Sequence, residues 1–205
     1  MPTLYHDPRS GNCYKVVLTA AHLGIPLKTI DIDVTGGLTR QPAFLAKNPN
    51  GRVPLLELDD GRLLPESNAI TWYLAEGSPL IPADKFERAQ MLQWMFFEQY
   101  SHEPYIAVAR FWMTFVSKEQ LRAKEHLIPE WHAKGNAALG VMEAQLKKQD
   151  WFAGRDYSLA DIALYGYTHC AEEGGFDLKK FPAVCDWLAR VAATPRFVPM
   201  GAKPA

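Results

Sequence analysis

Three short segments near the start of the chain carry residue types suited to holding a small anionic ligand. The first is Asp7-Pro8-Arg9-Ser10-Gly11-Asn12-Cys13. It joins a strand-like run to a helix-like one, so its side chains and N–H groups belong at the carboxyl end of a sheet, where α/β folds commonly bind ligands. Ser10 falls at or just before the helix N-terminus. Unpaired N–H groups and the positive end of the helix dipole favour an anion there, such as a thiolate. Serine is equally an ordinary N-cap residue. The second segment is Val53-Pro54. Proline at the start of a strand removes a ladder donor, and X-Pro bonds are the only common cis peptides. A cis bond would expose the Val53 N–H and C=O for antiparallel pairing with an extended, peptide-like ligand, whereas a trans edge proline would not. The third is Pro65-Glu66-Ser67-Asn68. Ser67 reads as the cap of a helix whose first N–H groups can hold a carboxylate, and Glu66 can accept from an ammonium group. An α-amino acid head satisfies both, although capping plus a solvated charge would also account for the pair.

The elements that must position these residues follow from hydrophobic periodicity. Thr3-Leu4-Tyr5 reads as a strand, the pattern through Val16-Val17-Leu18 and Leu23 as a helix, and Leu27 to Ile32 as a second strand, which makes a β-α-β opening. A helix-like stretch from Gln41 to Lys47 ends at the breaker cluster Asn48-Pro49-Asn50-Gly51. The run from Val53 to Leu58, then Asp60-Gly61 and Leu63-Leu64, reads as a β-hairpin. Ser67 opens a helix carrying Ile70, Trp72, Tyr73 and Leu74 that ends near Gly77, and Ser78-Pro79-Leu80-Ile81-Pro82 breaks regular structure. The expected division is a first domain over 1–77, a linker over 78–84 and a helical domain over 85–205. In Asp84-Lys85-Phe86-Glu87, the N-cap carboxylate and the glutamate three residues on can satisfy backbone donors reciprocally. Pro104 and Pro129 should each kink or end a helix. In Tyr157-Ser158-Leu159-Ala160-Asp161-Ile162, Ser158 caps, Asp161 reaches back and Tyr157 can staple against Ile162. The tail from Arg196, with Pro199, Gly201 and Pro204, reads as loosely held coil.

Composition bounds the function classes. The chain has 205 residues, 48% hydrophobic and 22% charged, with a formal net charge of -1. Dividing it at Leu80 leaves 7 basic and 8 acidic residues before and 15 of each after, so neither half is a nucleic-acid surface by charge. Charges interrupt the apolar runs too often for a membrane span, and Met1 leads directly into strand-like sequence, so the cytoplasm is the expected address. The three cysteines, Cys13, Cys170 and Cys185, form no disulfide framework and no Cys-x-x-Cys pair. The six histidines offer no metal site: His126 and His132 are too far apart for adjacent helical turns.

With these residues in view, the chain resembles the cytosolic glutathione transferases, over nearly its whole length. The resemblance is carried by Asn48-Pro49-Asn50-Gly51-Arg52-Val53-Pro54-Leu55-Leu56, by Glu66-Ser67-Asn68-Ala69-Ile70 and by the Ser158 to Ile162 box. It implies an α/β plus all-α protein, with a thioredoxin-like first domain followed by an all-helical second. It also implies that Val53, before a cis Pro54, pairs with the cysteinyl backbone of glutathione while Glu66 and Ser67 hold the γ-glutamyl end. For the glycyl carboxylate Arg52 is the first choice, with Arg40 and Lys47 as alternatives. Leu4 to Cys13 aligns without gaps with serine-type members of the delta and theta kind, which makes Ser10 the expected thiol activator. Those relatives commonly have proline just before the cysteine. Here it is Asn12, whose amide could itself reach the sulfur, as in bacterial members resembling a nu type. Tyr5 is expected in the core, and Cys13 as a buried small residue.

The resemblance further implies an electrophile pocket walled by the loop after the first strand and by the helix carrying Tyr105, Arg110, Phe111, Trp112 and Phe115, with glutathione as co-substrate and a homodimer; no metal is expected. A stripe of Trp and Phe on a helix is more often plain core, so about half of these aromatics are expected to line a cavity. The activity expected is conjugation of glutathione to a small apolar electrophile. The alternatives are a glutathione-dependent peroxidase or disulfide reductase, and a non-catalytic glutathione-binding module.

Overall fold

The computed structural model describes residues 1–202. They form two compact units, one comprising Met1–Ile81 with the segment from Thr194 onward, the other Pro82–Ala193. The chain leaves the first unit within the proline-interrupted segment that sequence marked as a breaker.

The first unit contains β1 (Thr3–His6), α1 (Gly11–Leu23), β2 (Lys28–Asp31), α2 (Pro42–Leu45), β3 (Leu55–Glu57), β4 (Leu63–Pro65) and α3 (Ser67–Ala75). The sheet order is β2-β1-β3-β4. β1 runs parallel to β2, with Leu4 opposite Thr29, and antiparallel to β3, with Leu4 opposite Leu56. β3 and β4 form the hairpin around Gly61, whose φ of 84° is the left-handed conformation that glycine adopts without penalty. The two-residue alternation of β1 sends Leu4 into the core, where it packs with Val16, Val17, Ala20, Leu27, Leu56 and Ile70. α1 is buried on every side from Cys13 to Ala20 and ends at Gly24, in the left-handed conformation, whose N–H reaches back to Ala20 and Ala21.

The tail departs from expectation. From Thr194 the chain belongs to the first unit and not to the helical domain, and up to residue 202 it is irregular but held. Val198 packs against the sheet-helix core, the Tyr14 hydroxyl donates to Val198 O at 2.7 Å, and His22 Nδ1 lies 2.8 Å from Pro195 O. Pro204 lies outside the described residues. Short, proline- and glycine-interrupted sequence signals coil, but it does not signal where coil docks. Tyr14→Phe removes one partly buried hydrogen bond and should cost about 1 kcal/mol in a urea titration. An unchanged midpoint would mean that the bond contributes nothing.

The second unit is helical: α4 (Lys85–Phe97), a π-helical turn (Glu98–His102), α5 (Glu103–Thr114), α6 (Lys118–Arg122), α7 (Ile128–Leu146), α8 (Leu159–Thr168) and α9 (Pro182–Ala192). Asp84 caps α4 by accepting from the Phe86 and Glu87 N–H groups, but Glu87 does not reciprocate. Its carboxylate sits against Gly154 instead. Pro104 and Pro129 both fall in the first turn of a helix, α5 and α7, where a missing N–H costs nothing. The box at the start of α8 is reciprocal, as its spacing predicts, with Ser158 and Asp161 each serving the other's backbone. Tyr157 sets its ring edge-on to Trp151, centroids 5.2 Å apart.

Candidate functional site

The loop after β1 is fixed by a buried carboxylate. Asp7, 1% exposed, accepts from the Arg9 backbone N–H at 2.9 Å, from Arg9 Nε at 2.9 Å and Nη2 at 2.7 Å, and from the Val34 N–H at 3.3 Å. Burial alone would raise its pKa; these hydrogen bonds outweigh that and hold it below the usual carboxylate value. Arg9 also bonds Asp33 at 2.9 Å, so the residue before Ser10 is clamped from two sides. Ser10 follows as the N-cap of α1, half-buried, in extended conformation. Its Oγ accepts from the Cys13 N–H at 3.4 Å, a long bond that leaves the hydroxyl proton to be donated elsewhere. Cys13 is 1% exposed, and its sulfur receives the Asp7 N–H at 3.4 Å. Burial pushes this thiol up to about 12, so it is an inert core group, in line with the expectation for it.

Asn12 meets the third segment. Its Oδ1 accepts from Ser67 Oγ at 3.2 Å and from Lys15 Nζ at 2.8 Å. The first turns of α1 and α3 therefore converge, and both present N–H groups to one place. Ser67 is not the cap that its sequence position suggested. The cap is Glu66, whose side chain makes no capping bond, and Ser67 is the first residue inside the helix, with its hydroxyl turned to Asn12. Glu66 itself is exposed and holds φ 74°, ψ 114°. A side-chain-bearing residue in such a region costs on the order of 1–3 kcal/mol, and strain of this kind concentrates at ligand-binding positions.

The Val53-Pro54 bond is cis. Among the described residues, neither the N–H nor the C=O of Val53 has a backbone hydrogen-bond partner. The loop before it is held by Asn48, whose amide donates to Arg52 O at 2.8 Å, and by Gly51, whose N–H returns to Asn48 O at 2.8 Å. Of the cations considered for a glycyl carboxylate, Arg52 is exposed and its side chain has no partner among the described residues. Arg40 is exposed and donates from Nη1 to Asn50 O at 3.0 Å, which brings it to the same loop. Lys47 is committed elsewhere, to Glu57 at 2.7 Å and to the face of Tyr5. Tyr5 is half-buried and not a core residue; its hydroxyl donates to Glu57 at 2.7 Å. β1 places Leu4 inward, and the two-residue period sends Tyr5 to the other face.

In the helical unit, Tyr105, Phe111, Trp112 and Phe115 all lie on or just after α5, and none is buried. Phe111 is 36% exposed and contacts Trp112 and Phe115, with centroids 5.9 and 6.3 Å away. Cations cap three of the rings: Lys134 over Tyr105, Lys124 over Trp112 and Arg110 over Phe115. Arg110 is itself buried and paired with Glu173 at 2.8 Å. Among the described residues no group of His, Cys, Asp and Glu could hold a metal ion, and no helix is long and apolar enough to cross a membrane.

Comparison with known proteins assigns the family. Residues 9–76 match the family described as glutathione S-transferase, N-terminal domain, and residues 94–195 match glutathione S-transferase, C-terminal domain. The chain belongs to the glutathione S-transferase family. This family member is 33% identical to glutathione S-transferase F10 of Arabidopsis thaliana, over 81% of this chain and 79% of the relative. It is 32% identical to a maleylacetoacetate isomerase of Pseudomonas aeruginosa, over 95% and 92%. The crystal structure of a glutathione S-transferase from Pseudomonas fluorescens is 52% identical, with a TM-score of 0.93 over 97% of this chain and 98% of that one. The thioredoxin-like unit followed by a helical one is thus the family's fold. Two features of the site escaped sequence reading. Positive φ at Glu66 has no marker, since the residue is not glycine. Lys15 did leave a signal: a charge inside the apolar run of α1, one helical turn from Asn12.

Proposed function

We propose that this family member is a glutathione transferase that activates the glutathione thiol and delivers it to a small apolar electrophile. The observation that carries the reading is the convergence of Ser10, Asn12 and Ser67 at the first turns of α1 and α3. In this reading Val53 pairs through its N–H and C=O with the cysteinyl unit. Glu66 accepts from the γ-glutamyl ammonium, and Ser67 and the α3 N–H groups hold its carboxylate. Arg52, with Arg40 beside it, neutralises the glycyl carboxylate. Ser10 donates its hydroxyl proton in a hydrogen bond to the sulfur, and Asn12 shares that task. Stabilising the thiolate in this way lowers a thiol pKa that is about 8.5 when unperturbed, with no general base required. The half-exposed aromatics of α5, Tyr105, Phe111, Trp112 and Phe115, suit an apolar acceptor. The family's habit supports a homodimer working in the cytoplasm.

The test combines binding, titration and product. Glutathione should raise the melting temperature by mass action. Ultraviolet titration of the bound thiol should give a pKa about one to two units below its free value. Incubation with an aryl halide should yield a thioether. Glutathione disulfide formed from a peroxide, with no thioether, would assign the chain to reduction chemistry instead. The absence of any thermal stabilisation would reject a glutathione site altogether.

A further inference from the structure

Glu57 ends β3, the strand that begins just after the cis Pro54. Strand alternation puts it on the face opposite to Leu56, the face that Tyr5 shares on β1. One carboxylate oxygen, Oε2, accepts from the Tyr5 hydroxyl at 2.7 Å and from Lys47 Nζ at 2.7 Å. The Lys47 ammonium also lies 5.1 Å from the centre of the Tyr5 ring, and buried Phe44 meets that ring edge-on at 6.3 Å. Lys47 holds the Glu57 carboxyl below its ordinary value, with Tyr5 adding to the effect, and Glu57 in turn raises the Lys47 ammonium. Both groups are therefore charged at neutral pH. Phe44 belongs to α2 and Lys47 follows it, so α2 is docked on the sheet by one apolar contact and one ionic strut. A helix of four residues has little stability of its own and takes its place from such contacts.

The segment around α2 is knit to itself. Arg40 Nη1 donates to Asn50 O at 3.0 Å, and the buried Asn48 donates to Arg52 O at 2.8 Å and accepts from the Asn50 N–H at 3.1 Å. A side chain at Gly51 would come within 2.7 Å of Arg40 Nη1 and 2.8 Å of Thr39 O, so the turn closes tightly on the arginine. Whatever fixes Lys47 therefore bears on Arg40 and Arg52 together.

We propose that Glu57 is a positioning residue for recognition of the glycyl carboxylate: through Lys47 and Tyr5 it anchors the segment carrying Arg40 and Arg52 in fixed relation to Val53. This rests on the reading above, in which Arg52 with Arg40 takes that carboxylate. It makes Lys47 a strut and not a ligand.

The experiment compares calorimetric affinities for glutathione and for its glycyl ethyl ester, which keeps the thiol and the peptide backbone but masks the one carboxylate. Wild type should prefer glutathione by about tenfold, the worth of a charge-assisted contact. No preference in wild type defeats the underlying reading, and the role of Glu57 with it. Given that preference, Glu57→Gln should weaken glutathione about fivefold and leave the ester within about twofold. Removing an acidic charge by itself favours an anionic ligand, so a loss of affinity reports position and not charge. With Arg40→Met and Arg52→Met already in place, Glu57→Gln should change the ratio no further. An equal loss for both ligands overturns the proposal, since it would mark general damage to the unit. An unchanged ratio overturns it, as does tighter glutathione binding, which would mean that Lys47 had been released to serve as the ligand. If Glu57→Gln fails to fold, Tyr5→Phe serves instead: it keeps the ring and removes one of the two bonds to Glu57. The preference should then fall about threefold with the ester unaffected, and an undiminished preference overturns the proposal.

Discussion

Ser10→Ala is expected to lower kcat/KM for glutathione conjugation about ten- to a hundredfold at neutral pH. A hydrogen bond to a charged group is worth about 1.5–3 kcal/mol, and each 1.36 kcal/mol is a factor of ten in rate. The loss should appear chiefly in the pH profile, with the alkaline-going limb displaced to higher pH and much of the rate recovered where glutathione ionises unaided. Ser10 is also the N-cap of α1, so alanine should reduce stability by about 1 kcal/mol as well. Ser10→Gly separates the two roles, because glycine is tolerated as a cap at a cost of only a few tenths of a kcal/mol while lacking the hydroxyl. If glycine restores activity, Ser10 is a structural cap and Asn12 carries the activation.

The largest stability loss should come from Asp161→Ala. This fully buried carboxylate accepts from the Phe152 N–H at 3.2 Å, the Ser158 N–H at 3.0 Å, Ser158 Oγ at 3.2 Å and Trp187 Nε1 at 3.0 Å. It thereby joins the start of α8 to α9 and to the loop between α7 and α8. Alanine leaves several buried donors unsatisfied at about 1–3 kcal/mol each, so the total should reach about 3–5 kcal/mol in a denaturant titration. A loss under 1 kcal/mol would mean that water replaces the carboxylate. The group should also leave a mark on pH dependence. Burial, the largest influence, raises its pKa above the ordinary 3.8, and the hydrogen bonds offset only part, giving about 6. The folded state then binds a proton that the unfolded chain releases between roughly pH 4 and 6. Wild-type stability should therefore decline as pH rises through that window, and this component should vanish in Asp161→Ala.

Both residues were visible in sequence, because a serine before a helix and a Ser-x-x-Asp box depend only on neighbours within a turn. Val53-Pro54 was legible only in part: the proline by itself left cis and trans open, and the resemblance implied the cis bond that the structure has. Ser67 shows the limit. Its residue type suited a cap, but the cap fell one position earlier, and its hydroxyl found a partner 55 residues away in Asn12. No local pattern encodes such a meeting. Tyr5 and Lys47 were misplaced because their shared partner, Glu57, lies on a different strand. The docking of the tail was unreadable for a related reason: Val198 is one apolar residue in coil, and its seat is made by α1 and the sheet, far back in the chain.

That docking sets an order of events during synthesis. The sheet-helix unit is discontinuous, made of Met1–Ile81 and a strap that begins only at Thr194. A ribosome must therefore translate the whole helical unit before the residue that covers the α1 side of the first core emerges. Until then, the nascent chain carries a sheet-helix unit with an uncovered apolar seat, which is filled only after the helical unit has been made.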